Sequence, residues 1–139
     1  MSSDIDRPTH FLNVDLDVYS ASNLEPFVAA LGKRVFVLYV GRVRRTFEAH
    51  LEIARDPRNA DNAIKKFVAL INSLPKPARK LWDTAKRRDF SVGVQAAIQS
   101  EVLDIALEPE TVRAAASLNA RIVITVYAPQ MRSKAKLQG

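Results

Sequence analysis

Leu12, Val14, Leu16 and Val18 alternate with Asn13, Asp15, Asp17 and Tyr19, the period-two pattern of a strand with one buried face. The polar residues 20–23 offer caps for a helix whose apolar positions, Leu24, Phe27, Val28 and Leu31, recur at helical spacing; Pro26 fits its first turn and Gly32 its end. Residues 35–40 are an unbroken apolar run, which predicts a central strand covered on both sides or a strand lying in an interface. Gly41 relaxes the chain. After the arginine-rich residues 42–45, Phe47, Ala49, Leu51 and Ile53 alternate with Glu48, His50 and Glu52, predicting a third strand reached by a tight antiparallel return.

Asp61 is a candidate N-cap for a helix striped by Ile64, Phe67, Val68, Ile71 and Leu74. Pro75 and Pro77 interrupt it, because proline lacks an amide hydrogen and clashes with the preceding turn, and a second short helix follows through Leu81, Trp82 and Ala85. Phe90, Val92, Val94, Ala96 and Ile98 read as a fourth strand, and Leu103, Ile105 and Leu107 as a fifth. An acidic, proline-containing start at residues 108–111 opens a helix through Leu118, Asn119 is a left-handed stop, and Ile122, Ile124 and Val126 form a sixth strand.

Laying Leu16 over Leu103 aligns two strand–helix–strand stretches without a gap. Asp17 matches Asp104, Ala29 matches Ala116, Leu31 matches Leu118, and Arg34 matches Arg121. Such a pseudo-repeat implies an α+β domain with a mixed, mostly antiparallel sheet and helices on one face, ferredoxin-like in plan.

The C-terminal half carries a resemblance. The helix at residues 67–74, Trp82, and residues 107–127, with an acidic helix start closing through Leu118 and Asn119 into a strand that ends at Tyr127, resemble bacterial proteins of the domain-of-unknown-function family 4279. The resemblance implies an α+β domain and supplies no activity or catalytic residues.

With 139 residues, 47% apolar and 26% charged, the chain is expected to form a single α+β domain over residues 11–128, between a flexible N-terminus (1–10) and a flexible basic tail (129–139). It has no cysteine, which removes thiol nucleophiles, thiolate metal sites and disulfides. The first residues carry carboxylates and no apolar segment, so neither a secretory signal nor a membrane span is expected there, and the reading is cytoplasmic.

The net charge of +6 raises the question of a polyanion such as nucleic acid. Arg132, Lys134 and Lys136 place part of it in the tail. Eight cations between Lys65 and Arg88 face one anion, Asp83, and of these Lys65, Lys66, Lys80, Arg87 and Arg88 are the candidate polyanion contacts. A solvated helical face accounts for the same residues.

Pairing of the first and third strands would bring Asp15, Asp17, Glu48 and His50 together, with Asn13 and Glu52 alongside, a set able to hold a divalent cation or perform acid–base chemistry. Alternate polar residues are also what a water-facing sheet surface requires. His10 and His50 are the only histidines, no nucleophile elbow is present, and four glycines build no phosphate-cradling loop, so no cofactor and no metal are expected. Trp82 reads as a core residue, and Arg42, Arg44, Arg45 and Phe47 as a charged strand edge. These features favour a non-catalytic binding or protein-interaction module, with a homodimer formed through residues 35–40 or the open sheet face, and Tyr19, Val123 and Tyr127 as contact residues. The alternatives are the polyanion binder and a small acid–base or metal-dependent enzyme on the acidic face.

Overall fold

The computed structural model describes residues 7–55, 57–98 and 102–129. In chain order the elements are β1 (His10–Ser20), α1 (Glu25–Leu31), a 3-10 turn (Gly32–Arg34), β2 (Val35–Val43), β3 (Thr46–Ile53), α2 (Ala60–Asn72), α3 (Lys76–Asp83), β4 (Arg87–Gln95), α4 (Pro109–Ser117) and β5 (Arg121–Tyr127). The strands form one sheet in the order β2-β3-β1-β4-β5. All neighbours are antiparallel except β4 and β5, which run parallel through the α4 crossover. The fold is therefore α+β with a mixed, mostly antiparallel sheet.

The period-two pattern assigns the two faces of the sheet. Val14, Leu16 and Val18 of β1, Ala49 and Leu51 of β3, and Phe90 and Val92 of β4 are buried beneath the helices. Phe27 and Trp82 stack with ring centroids 6.0 Å apart, and Phe67 meets Phe90 at 5.9 Å. The Trp82 indole N–H donates to the Leu118 carbonyl at 3.1 Å, so the tryptophan belongs to the core, as its place on the apolar side of α3 implies. Arg88 is equally internal in its role. Its Nη1 donates to the carbonyls of Trp82 (2.8 Å) and Ala85 (2.9 Å), and its Nε to that of Asn119 (3.1 Å), tying the end of α3 to β4 and to the start of β5.

Local chemistry sets the boundaries. Asn23 Oδ1 accepts from the Glu25 amide (3.0 Å) at the start of α1, and Gly32 ends that helix with a φ of 63°. The N-cap of α2 is Asn59, whose Oδ1 accepts from the Asn62 amide at 2.8 Å. Asp61 lies too far along to cap it and instead accepts from the Glu108 amide at 2.9 Å, tethering the chain that leads into α4. The β2–β3 return is made at Arg44, with φ 58°, and not at Gly41. Gly41 lies inside β2, where the Tyr39 hydroxyl sits 2.7 Å from the place its Cβ would take.

Two sequence expectations are corrected. The run at 35–40 is not a central strand, because among the described residues β2 is an edge strand with β3 on one side only. Residues 103–107 form no strand, although Leu103, Ile105 and Leu107 are half-buried in alternation as expected. Alternation alone does not make a strand, since a ladder also needs a partner, and residues 103–107 pair with none of the five strands. The second copy of the supposed repeat thus lacks its opening strand. The tail cations Arg132, Lys134 and Lys136 lie outside the described residues. Among the described residues no helix is long and apolar enough to cross a membrane.

Candidate functional site

The pairing of β1 with β3 does gather the acidic set. Asp17 lies opposite His50, Asp15 opposite Glu52, and Tyr19 opposite Glu48, all on the face away from the helices. His50 Nδ1 meets Asp17 Oδ1 at 2.7 Å and its Nε2 meets Glu48 Oε1 at 2.9 Å. Ser91 donates to the other Asp17 oxygen at 2.7 Å, and the Asn13 amide donates to Glu52. Burial acts to lower the His50 pKa, but the hydrogen bonds and charges of Asp17 and Glu48 outweigh it and raise the value above the ordinary 6.5. An imidazolium can donate from both nitrogens, which is what two carboxylates require.

This network is internally satisfied. Both His50 nitrogens and both Asp17 oxygens are engaged, leaving the imidazole no lone pair for a metal or for a substrate proton. Among the described residues no three His, Asp or Glu side chains converge as metal ligands. The exception to satisfaction is Asp15, whose Oδ1 is buried without a hydrogen-bond partner. Desolvation, then the charges of Glu52 and Asp17, push its pKa up to about 6, with His50 pulling the other way.

A second polar group on the same face was not legible from the sequence. Asp89 stands directly opposite Asp17 and is buried. Arg121 grips it bidentately, Nε and Nη2 each 2.8 Å from a carboxylate oxygen, and Arg87 Nε approaches at 3.1 Å. Arg87 also lies over the Tyr19 ring, 4.1 Å from its centroid. Two facing carboxylates are thus each neutralised from a different side, Asp17 by His50 and Asp89 by arginines. Only the β4–β5 register, which puts Asp89 beside Arg121, could reveal this.

The remaining candidates are dispersed. Lys65 on α2 is paired with Asp61 (3.3 Å) of the same helix and Glu110 (3.2 Å) of α4, Lys66 is half-buried on α2, Lys80 is exposed on α3, Arg87 serves the opposite sheet face and Arg88 holds backbone carbonyls. They form no single stripe. Tyr19, Val123 and Tyr127 do share the open face, but Tyr19 pairs beside Arg87 and Tyr127 beside Gln95, opposite ends of β4 separated by roughly 26 Å at a strand's rise per residue. Tyr19 is in addition covered by Arg87 and edge-on to His50.

Compared with known proteins, the chain matches no family model, no curated protein and no solved structure.

A run of exposed apolar side chains lies on β2. Phe36, Val37, Leu38 and Tyr39 are consecutive and 57%, 47%, 52% and 44% exposed. Phe36 and Tyr39 sit over Glu52 and His50 on the open face, while Val37 lies on the helix face opposite Leu51. A β-bulge between Val37 and Tyr39 twists the strand at Leu38. Basic residues bracket this run: Lys33 and Arg34 immediately before it, Arg42, Arg44 and Arg45 after it. Beside its start, a groove of about 500 Å³ opens between the 3-10 turn, the end of β3 and α2.

Proposed function

We propose that the protein is an interaction module that recruits an extended segment of another protein by adding it as a strand to the outer edge of β2. The observation that carries the reading is the stretch of four large, consecutive, exposed apolar side chains on an edge strand with no outer neighbour among the described residues. A continuous apolar run calls for cover on both faces, and β2 lacks it inside the chain; an edge also offers a row of backbone donors and acceptors for a new ladder.

Charge argues for the kind of occupant. Five cations at the two ends of the run suit a segment with an apolar middle and acidic ends. A second copy of this chain is a poorer fit. Antiparallel pairing of two β2 strands about Val37 and Leu38 would bring Arg42 of each to the basic turn, Lys33 and Arg34, that precedes β2 of the other, and like charges brought together at an interface are unfavourable.

The test is titration of the protein into a fluorescein-labelled ten-residue peptide that alternates valine with threonine and carries aspartates at both ends, read by anisotropy. Saturable binding should appear, at least tenfold weaker for a peptide with lysines at the ends and for the Val37→Lys protein, a difference of about 1.4 kcal/mol or more. Sedimentation runs in parallel. A concentration-dependent dimer abolished by Val37→Lys would replace the peptide with a second copy, and a monomer that ignores both peptides would overturn the reading.

A further inference from the structure

The groove beside the start of β2 lies on the side of that strand that faces β3 and α2, so nothing about it depends on strand addition at the outer edge. Two of its walls are tied together. The Arg34 carbonyl accepts from the Ala54 amide at 3.0 Å, joining the 3-10 turn to the end of β3, and α2 supplies the third wall. The floor is aliphatic, with Ile53 buried and Leu70 half-buried. Among the described residues that line the groove, the charged ones are Lys33, Arg34, Arg55 and Lys66, all cations. Arg34 is spent on the carbonyls that end α1, donating from Nε to Leu31 (3.0 Å) and from Nη2 to Ala30 (3.2 Å), so it lends the groove charge more than donors. Lys33, Arg55 and Lys66 form no ion pair among the described residues, whereas Lys65, one position before Lys66 on α2, is paired with Asp61 and Glu110.

We infer that the groove binds a small free aliphatic carboxylate, its anionic head among Lys33, Arg55 and Lys66 and its chain on Ile53 and Leu70. Like charges gathered around one concavity raise the potential inside it, and aliphatic walls of low dielectric strengthen the pull on an anion that enters. The volume of about 500 Å³ lies within the range of small-molecule sites. A floor without an aromatic ring offers nothing on which a nucleic-acid base could stack, which sets a nucleic acid aside. With the Ala54 amide already used by Arg34, recognition falls to side-chain charge and apolar contact rather than to a fixed array of backbone donors. Both halves of the ligand are then needed. A bare mineral anion leaves the aliphatic floor in water, and a neutral chain leaves the cations without a counter-charge.

The experiment titrates octanoate, octanamide and acetate separately into isotope-labelled full-length protein at low salt and follows the backbone amide resonances. Octanoate should bind saturably and about tenfold more tightly than either of the others, with the shifted amides concentrated in residues 33–35, 53–55 and 66–70. Ala69 lines the groove and is exposed on α2, where glutamate and glutamine are both good helix formers. Ala69→Glu, which supplies the groove with a carboxylate of its own, should weaken octanoate about tenfold relative to Ala69→Gln, which has the same shape and no charge. Octanamide or acetate binding as tightly as octanoate, shifts centred elsewhere such as on residues 36–39, equal affinities in the two variants, or no saturable shift at all would each overturn the inference. The comparison of the three ligands and the map of shifted amides need no substitution, so they remain decisive even where a variant folds poorly.

Discussion

Replacing Asp15 with asparagine should stabilise the protein above pH 6 and do almost nothing near pH 4. Asp15 sits half-buried on the central strand, across from Glu52 and Ser91, with its Oδ1 lacking any partner. Its pKa rises from 3.8 to about 6, by desolvation first and by the Glu52 and Asp17 charges next. A raised carboxylate means that the folded state binds the proton more tightly than the unfolded chain does. The cost is therefore absent below about pH 3.8, grows through the interval, and is complete above about pH 6. A gap of about two pH units corresponds to ~3 kcal/mol at full linkage. Because the side chain is half exposed, solvent screening reduces this to about 1–1.5 kcal/mol. The asparagine side chain carries no charge to desolvate and can donate to the facing Glu52 carboxylate.

Urea unfolding of the parent and Asp15→Asn at pH 4.0 and 7.5 reads the effect, and the melting temperature at pH 7.5 should rise by roughly 3–5 °C. The gain should appear at pH 7.5 alone. A destabilised variant at pH 7.5, or a difference identical at the two pH values, would show that the carboxylate is held by a favourable partner and that the desolvation argument is wrong.

Other outcomes follow from the same geometry. Arg121→Ala should destabilise more than Asp89→Ala, by about 1 kcal/mol or more, because the first strands a buried carboxylate with Arg87 alone while the second leaves a solvent-exposed guanidinium; denaturant midpoints check the order. Trp82→Phe removes the indole donor from the Leu118 carbonyl and part of the stack on Phe27, and should cost roughly 2 kcal/mol of unfolding free energy, read by circular dichroism since the chain's one tryptophan is lost.

The sequence by itself determined the local periodicities, and with them the covered face of β1, β3, β4 and α2 from Val14 onward, but not the cover of Leu12, residues 36–39, Ile124 or Val126, which are exposed. The alternation in β1, β3 and β4, the stripe on α2, the proline break before α3 and the left-handed Asn119 all reflect preferences held within a few residues, and the structure places them as read except that Leu12 is exposed and β4 ends at Gln95, short of Ala96 and Ile98. It also named the partners on the acidic face, Asp17, Glu48 and His50, because the β1–β3 pairing could be posed as a condition. Tertiary structure decided everything that depended on who neighbours whom. Residues 103–107 kept their alternating burial yet formed no strand, since they pair with no neighbour in the sheet. Residues 35–40 had two readings, and only the strand order removed the covered one and left β2 as an edge. The Asp89–Arg121 clasp and the four-cation groove join residues far apart in the chain, and no local periodicity carries such information. Periodicity is a property of a residue's own neighbourhood in the chain; cover, pairing, charge neutralisation and concavity are properties of two or more segments, and they exist only once the chain has folded.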